Sequence, residues 1–182
     1  MDTIKNPNIF WLTGMSGSGK STLATYIEDF CKKRQYKVYI VDGDEVRDKD
    51  VEKLGFDRED VLKNNLRIAK LCLSLKDEGF NIVLVPVISP YEEIRGKVRL
   101  ILEPNLHLVY VKADIDSLKK RDTKGLYAAS DNGLINDLIG YSEVNPYDEP
   151  SNAELTIETG NHKSVQESCR QLSNYFTKEI IT

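Results

Sequence analysis

The 182-residue sequence has little of what several function classes require. Its three cysteines, Cys31, Cys72 and Cys169, are far apart, odd in number and without metal-ligand spacing. That excludes a disulfide framework and a zinc ribbon, and it fits reduced thiols in a cytoplasmic protein. No long basic run stands out, and the formal net charge is −4, so nucleic acid is not an expected partner. The longest apolar run, Ile82 to Ile88, is too short to span a bilayer and contains Pro86, so no membrane role is expected. The N-terminal stretch carries Asp2 and Lys5 and then enters an apolar strand, which is not the pattern of a signal peptide. Neither repeats nor low-complexity segments occur. The two histidines, His107 and His162, fall inside a strand and at a helix start, and both read as structural.

What is present centres on Gly14-Met15-Ser16-Gly17-Ser18-Gly19-Lys20-Ser21, the G-x-x-x-x-G-K-S phosphate-binding pattern. It follows an apolar, β-prone run, Ile9 to Thr13, and opens a helical pattern from Ser21 to Phe30, with Leu23, Ala24, Ile27 and Phe30 on one face. Glycines allow the backbone to turn tightly around an anion, and the N–H groups then converge at the electropositive helix start. Gly14, Ser16, Gly17, Ser18, Gly19, Lys20, Ser21 and Thr22 are therefore expected to hold ATP. Lys20 is expected on the β- and γ-phosphates, and the Ser21 hydroxyl on Mg²⁺.

The rest of the chain alternates strands and helices. Lys37–Val41, Ile82–Val87, Leu106–Val111 and Leu155–Ile157 read as strands. Helices are expected from Asp57 to about Glu78, from Ser89-Pro90 to before Pro104, over Asp114–Arg121 and over His162–Ile180. Ser89 is read as an N-cap with Pro90 at the first helical position. The expected fold is α/β, a P-loop nucleoside-triphosphate-binding fold with a parallel sheet flanked by helices. A single domain should span residues 1–182, with 1–7 a flexible tail. Ligands of such sheets gather at the carboxyl ends of the strands. The loop at Gly14, the Asp42-Gly43-Asp44 segment and the Ile88-Ser89-Pro90 segment should thus share one cleft.

Phosphoryl transfer needs positioning and charge neutralisation more than covalent chemistry. Asp42 and Asp44 supply two carboxylates, one suited to a Mg²⁺-bound water and one to the proton of an attacking hydroxyl. The local alternative is an Asp-Gly turn, in which Asp serves its own backbone. Arg47, one turn further on, suits an anionic acceptor. Arg121 and Lys124 suit a lid over the transferring phosphate, whereas Lys119 and Lys120 suit a solvated helix face. The third strand lacks a terminal Asp, and no Asn-Lys-x-Asp motif occurs, which argues against a motor ATPase or a GTPase.

Taken together, the sequence resembles the adenylylsulfate (APS) kinase family. The resemblance rests on Trp11-Leu12-Thr13-Gly14 through the P-loop, Asp42-Gly43-Asp44 with Arg47, Leu54-Gly55-Phe56, Asn64, Arg67-Ile68-Ala69, Ile88-Ser89-Pro90-Tyr91, Arg121-Asp122, Lys124-Gly125-Leu126-Tyr127 and Pro146-Tyr147-Asp148-Glu149-Pro150. It implies transfer of the γ-phosphate of MgATP to the ribose 3′-hydroxyl of APS, giving PAPS, by a homodimer that needs no organic cofactor. Also implied are Asp42 and Asp44 for metal and acceptor chemistry, and Arg47, Phe56, Asn64, Ile88, Ser89, Lys124, Leu126 and Leu138 around the acceptor.

The departures cluster on the acceptor side. The family has Arg at the positions of Val61 and Leu66, Glu at Lys63 and an adenine-stacking Phe at Leu138. A lost buried charge contact is worth about 2–5 kcal/mol, and a lost stack about 1–3 kcal/mol. Two alternatives follow. One is a kinase of a different nucleotide acceptor, such as cytidine diphosphoramidate in capsule biosynthesis. The other is a P-loop protein that binds nucleotide without catalysis.

Overall fold

The computed structural model describes residues 6–48 and 54–181. The segments 1–5 and 49–53, residue 182 and the side chains of Asp44 and Asp48 lie outside the described residues. Five strands form one parallel sheet: β1 (Asn8–Thr13), β2 (Val38–Ile40), β3 (Ile82–Pro86), β4 (Leu106–Lys112) and β5 (Leu155–Glu158). Their order is β2-β3-β1-β4-β5, so the strand that feeds the P-loop is central. In β1, Asn8 pairs with Ile82 on one side, and Ile9 pairs with Leu106 on the other.

Because both faces of the sheet are covered, β1 and β3 are apolar at nearly every position and not alternating. Alternate side chains enter separate cores. Phe10 and Leu12 pack with Ile27 of α1 (Lys20–Lys32) and with Leu172 and Phe176 of α7 (Val165–Phe176). Ile9 and Trp11 pack with Ile68 and Cys72 of α3 (Arg58–Ser74) and Val98 of α4 (Glu92–Leu102). His107 serves the first core. It stacks on Phe10 with centroids 4.7 Å apart and bonds the Tyr175 hydroxyl at 3.0 Å. Burial holds its pKa below the ordinary histidine range. The three thiols are also buried and free, and burial raises the pKa of Cys31 and of Cys72 to about 12.

Local signals set the helix ends. Asp57 accepts from the Asp60 amide at the start of α3, and Asp114 from the Ser117 amide at the start of α5 (Ile115–Arg121). Ser164 and Glu167 form a reciprocal capping box that starts α7 later than the expected His162. That helix then continues as a π-helical turn over Thr177–Ile181. Two short helices, α2 (Gly43–Asp48) and α6 (Leu126–Asp131), escape the periodicity reading because six residues make fewer than two turns. Of the segment 1–7 expected as a flexible tail, residues 1–5 lie outside the described residues, and Pro7 is buried. No helix among the described residues is long and apolar enough to cross a membrane.

Candidate active site

Between β1 and α1 the chain makes a loop that needs glycine at its first and last positions. A Cβ on Gly14 would lie 2.3 Å from the Val111 carbonyl oxygen, and Gly19 has φ +101°. The loop is braced from outside. The Tyr127 hydroxyl donates to the Ser16 carbonyl at 2.7 Å, and Thr159 Oγ1 donates to the Ser18 carbonyl at 2.8 Å. Arg121 donates to the Gly17 carbonyl at 3.5 Å and also to the Thr159 carbonyl. In a trans peptide the N–H points opposite to the preceding C=O. Carbonyls held on the outside therefore turn the amides of Gly17 and Gly19 toward the cleft that both residues line.

Lys20 closes the inner side. Its Nζ donates to the carbonyls of Gly14 at 2.7 Å and Met15 at 2.8 Å. Burial, with a smaller contribution from the Lys124 charge, pushes its pKa down to about 7. An anion in the loop would reverse that shift by supplying the missing countercharge.

The cleft has a volume of about 990 Å³ and runs across the carboxyl ends of the strands. On the β2–β3 side it meets Asp42, Arg47, Phe56, Val61, Asn64 and Ser89. Asp42 follows β2, and its carboxylate accepts from the Glu45 amide at 3.2 Å, so it caps α2 while lining the cleft. The local turn role and the cleft position thus coincide in one residue. The Arg47 guanidinium lies 4.4 Å from the centre of the Phe56 ring, a cation–π contact. Asn64 Nδ2 donates to the Gly43 carbonyl at 3.4 Å, which ties α3 to α2.

Ser89 corrects the sequence reading. It is not an N-cap: α4 begins at Glu92 with Tyr91 as its flanking residue, and Ser89 adopts φ +44°. The carbonyl of Ser89 accepts from Arg95 Nη1 at 2.7 Å and from Thr13 Oγ1 at 3.2 Å. Tertiary hydrogen bonding to these two residues, one on the central strand, overrides the local capping preference. Arg95 is itself buried. It also donates to the Asp148 carbonyl and the Glu92 carboxylate, both at 2.6 Å. Replacing it with Met removes the Arg95 donor from the Asp148 carbonyl and one of the two donors from the carbonyl of buried Ser89. Arg95→Met is expected to lower stability by about 3 kcal/mol and the melting temperature by roughly 6–12 °C. Thermal unfolding by circular dichroism checks this.

Opposite, on the β4–β5 side, the cleft meets Arg121, Lys124, Tyr127, Thr159, Asn161 and Lys163. Arg121 and Lys124, expected over the phosphate, both line this wall of the cleft. Lys119 instead pairs with Asp131 at 2.8 Å, at the surface as expected. Asp122 accepts from the amides of Tyr127 and Ala128, which fixes the start of α6 and so places the Tyr127 brace.

Other expected site residues divide. Ser16, Ser18, Ser21, Thr22 and Ile88 line the cleft, as do Gly17 and Gly19. Gly14 faces β3, donating its N–H to the Ile88 carbonyl at 3.4 Å. The Asp44 side chain lies outside the described residues. Leu138 and Leu126 do not line the cleft: both pack with Leu118 and Tyr127 in a separate apolar cluster, and Ile139 faces the cleft instead. A one-residue change of direction in this irregular segment decides which apolar side chain meets the ligand, and composition gives no sign of it. Sequence reasoning also missed Tyr127 and Thr159 as loop braces, because each acts through a hydroxyl from more than 100 residues away.

The donors suit Mg²⁺. Ser21, at the end of the loop, and Asp42, on the β2–β3 side, both line the cleft. Hard oxygen ligands, few in number, are what Mg²⁺ takes when phosphates complete its sphere. No group of three or more His, Cys, Asp or Glu residues fit to hold a metal occurs among the described residues.

Comparison with known proteins gives consistent results. The family model for adenylylsulphate kinase matches residues 6–158. An adenylyl-sulfate kinase of Bacillus licheniformis is 42% identical over 170 residues, covering 92% of this chain and 84% of the relative. A probable adenylyl-sulfate kinase of Bacillus subtilis is 38% identical over 176 residues, covering 96% and 87%. Among solved structures, the APS kinase of Mycobacterium tuberculosis in complex with AMPPNP and APS superposes with a TM-score of 0.80 at 28% identity, covering 93% of this chain and 96% of that one.

Proposed function

The chain belongs to the adenylylsulphate kinase family, and from that premise we propose that it transfers the γ-phosphate of ATP to the ribose 3′-hydroxyl of APS. The observation that carries the proposal is the braced loop with Lys20 inside it, facing one cleft that also meets Asp42, Arg47, Ser89 and Lys124. The triphosphate lies along the loop, held by the amides of Gly17 and Gly19 and by the Lys20 ammonium. APS lies on the β2–β3 side, its base against Phe56 and Arg47. Asp42 or Asp44 orients the 3′-hydroxyl and takes its proton as the oxygen attacks the γ-phosphorus. The bond from that phosphorus to the β-bridging oxygen breaks, and ADP leaves. Ser21 and Asp42 would hold Mg²⁺, which neutralises charge on the phosphate oxygens. Arg121 and Lys124 supply positive charge from the opposite wall.

A homodimer and a cytoplasmic location accompany this reading, in keeping with the family resemblance and with three free thiols. A steady-state assay with ATP against APS and cytidine diphosphoramidate tests the acceptor. Efficient turnover of APS supports the proposal. Turnover of the cytidine compound alone replaces the acceptor, and ATP consumption with neither removes the kinase reading.

A further inference from the structure

The segment 88–91, which forms part of the acceptor side of the cleft, is held in a conformation that its own sequence does not favour. Ser89 has φ +44° and is 2% exposed. Left-handed backbone at a residue with a Cβ costs free energy and persists only where the surroundings over-determine it. Here a second segment, 145–148, is bonded along the first. The Tyr91 hydroxyl donates to Asn145 Oδ1 at 2.7 Å. The Asp148 amide donates to the Pro90 carbonyl at 2.8 Å, and Asp148 Oδ2 accepts from the Glu92 amide at 3.2 Å.

Tyr147 makes a link of a different kind. Its hydroxyl lies 2.8 Å from Oγ1 of Thr13, the last residue of the central strand. Thr13 Oγ1 carries one proton, which it directs at the carbonyls of Ile88 at 2.5 Å and Ser89 at 3.2 Å. Carbonyls only accept, so Tyr147 is the donor to Thr13. Burial raises the Tyr147 pKa to about 12, and its proton is present at neutral pH. The Ile88 carbonyl also accepts from the amide of Gly14, the first loop residue, at 3.4 Å. One carbonyl thus joins the wall that meets the acceptor to the loop that meets the triphosphate. Ile88 and Ser89 line the cleft, whereas Tyr147 and Thr13 stand behind them.

We infer that Tyr147 is a positioning residue for phosphoryl transfer: acting through the Thr13 hydroxyl, it fixes Ile88 and Ser89 against the start of the phosphate loop and so sets the spacing of acceptor and donor. The inference rests on the proposed placement of both nucleotides in this cleft. A shift of about 1 Å in such spacing can cost roughly 100-fold in rate. Arg95 still holds the Ser89 carbonyl from the other side, so losing the Tyr147 hydroxyl loosens the segment without releasing it.

The test compares Tyr147→Phe with the parent. Phe keeps the ring that stacks on Tyr110 and removes only the hydroxyl. At saturating MgATP, kcat/KM for APS should fall about tenfold, while the calorimetric Kd of a non-hydrolysable ATP analogue stays within twofold. Thr13→Val should lose at least as much, and the double variant should be no worse than Thr13→Val, because Tyr147 acts through Thr13. Unchanged kcat/KM in Tyr147→Phe, an equal loss of analogue affinity, or additive losses in the double variant overturns the inference and leaves the proposed function standing. A parent that turns over only cytidine diphosphoramidate replaces the acceptor, and the same ratio read with that compound then decides. A parent that turns over neither removes both readings. If Thr13→Val does not fold, Tyr147→Phe decides alone.

Discussion

Lys20→Met is expected to abolish phosphoryl transfer, lowering kcat/KM by about 10³-fold or more, while the ligand-free protein folds at least as well as the parent. The two halves of that expectation have one cause. In the folded protein the Lys20 ammonium is buried between two carbonyls beside Lys124, and its pKa is about 7, against a model-peptide value of 10.5. The folded state therefore holds its proton less tightly than the unfolded chain. Between about pH 7 and 10.5 the unfolded state binds more protons, so stability rises with pH through that window. Below pH 7 both states are protonated and the full burial penalty remains. Met removes the charge and with it this pH dependence. The difference in melting temperature between variant and parent should be largest near pH 6.5 and should shrink toward pH 9. Adding MgATP to the parent should narrow it too, because phosphate stabilises the protonated amine.

Asp42→Asn comes next in expected effect. Asn caps helices about as well as Asp, so the bond from the Glu45 amide survives and stability should change little. The carboxylate is what disappears. A drop in kcat of about 10²-fold or more is expected, with a higher Mg²⁺ requirement, because this position lines the same cleft as Ser21. Steady-state kinetics across a Mg²⁺ titration measures both. Unchanged kcat would remove Asp42 from the chemistry and leave it only as the cap of α2.

The donor half of the site was legible in the sequence because its residues are contiguous. A strand, a glycine-spaced loop, Lys20, Ser21 and a helix form one uninterrupted stretch whose geometry follows from glycine freedom and helix polarity. The sheet was legible for a similar reason: strands buried on both faces are uniformly apolar, as Ile82 to Val85 show. The acceptor half was less so. Its surfaces come from α3, from the segment after β3 and from the irregular stretch around Ile139, which meet only in three dimensions. Ser89 has the chemistry of a helix cap but is fixed by Arg95 and Thr13, two partners that no local pattern ties to it. Leu138 and Ile139 are adjacent and equally apolar, and only the backbone direction decides which one meets the cleft.

Phosphorus NMR of the protein turning over ATP, Mg²⁺ and APS is the most direct measurement. The account predicts loss of the γ-phosphate resonance with equal growth of a new phosphomonoester resonance on the 3′-oxygen of the acceptor ribose. Release of the γ-phosphate only as inorganic phosphate, or an unchanged ATP spectrum, would contradict it.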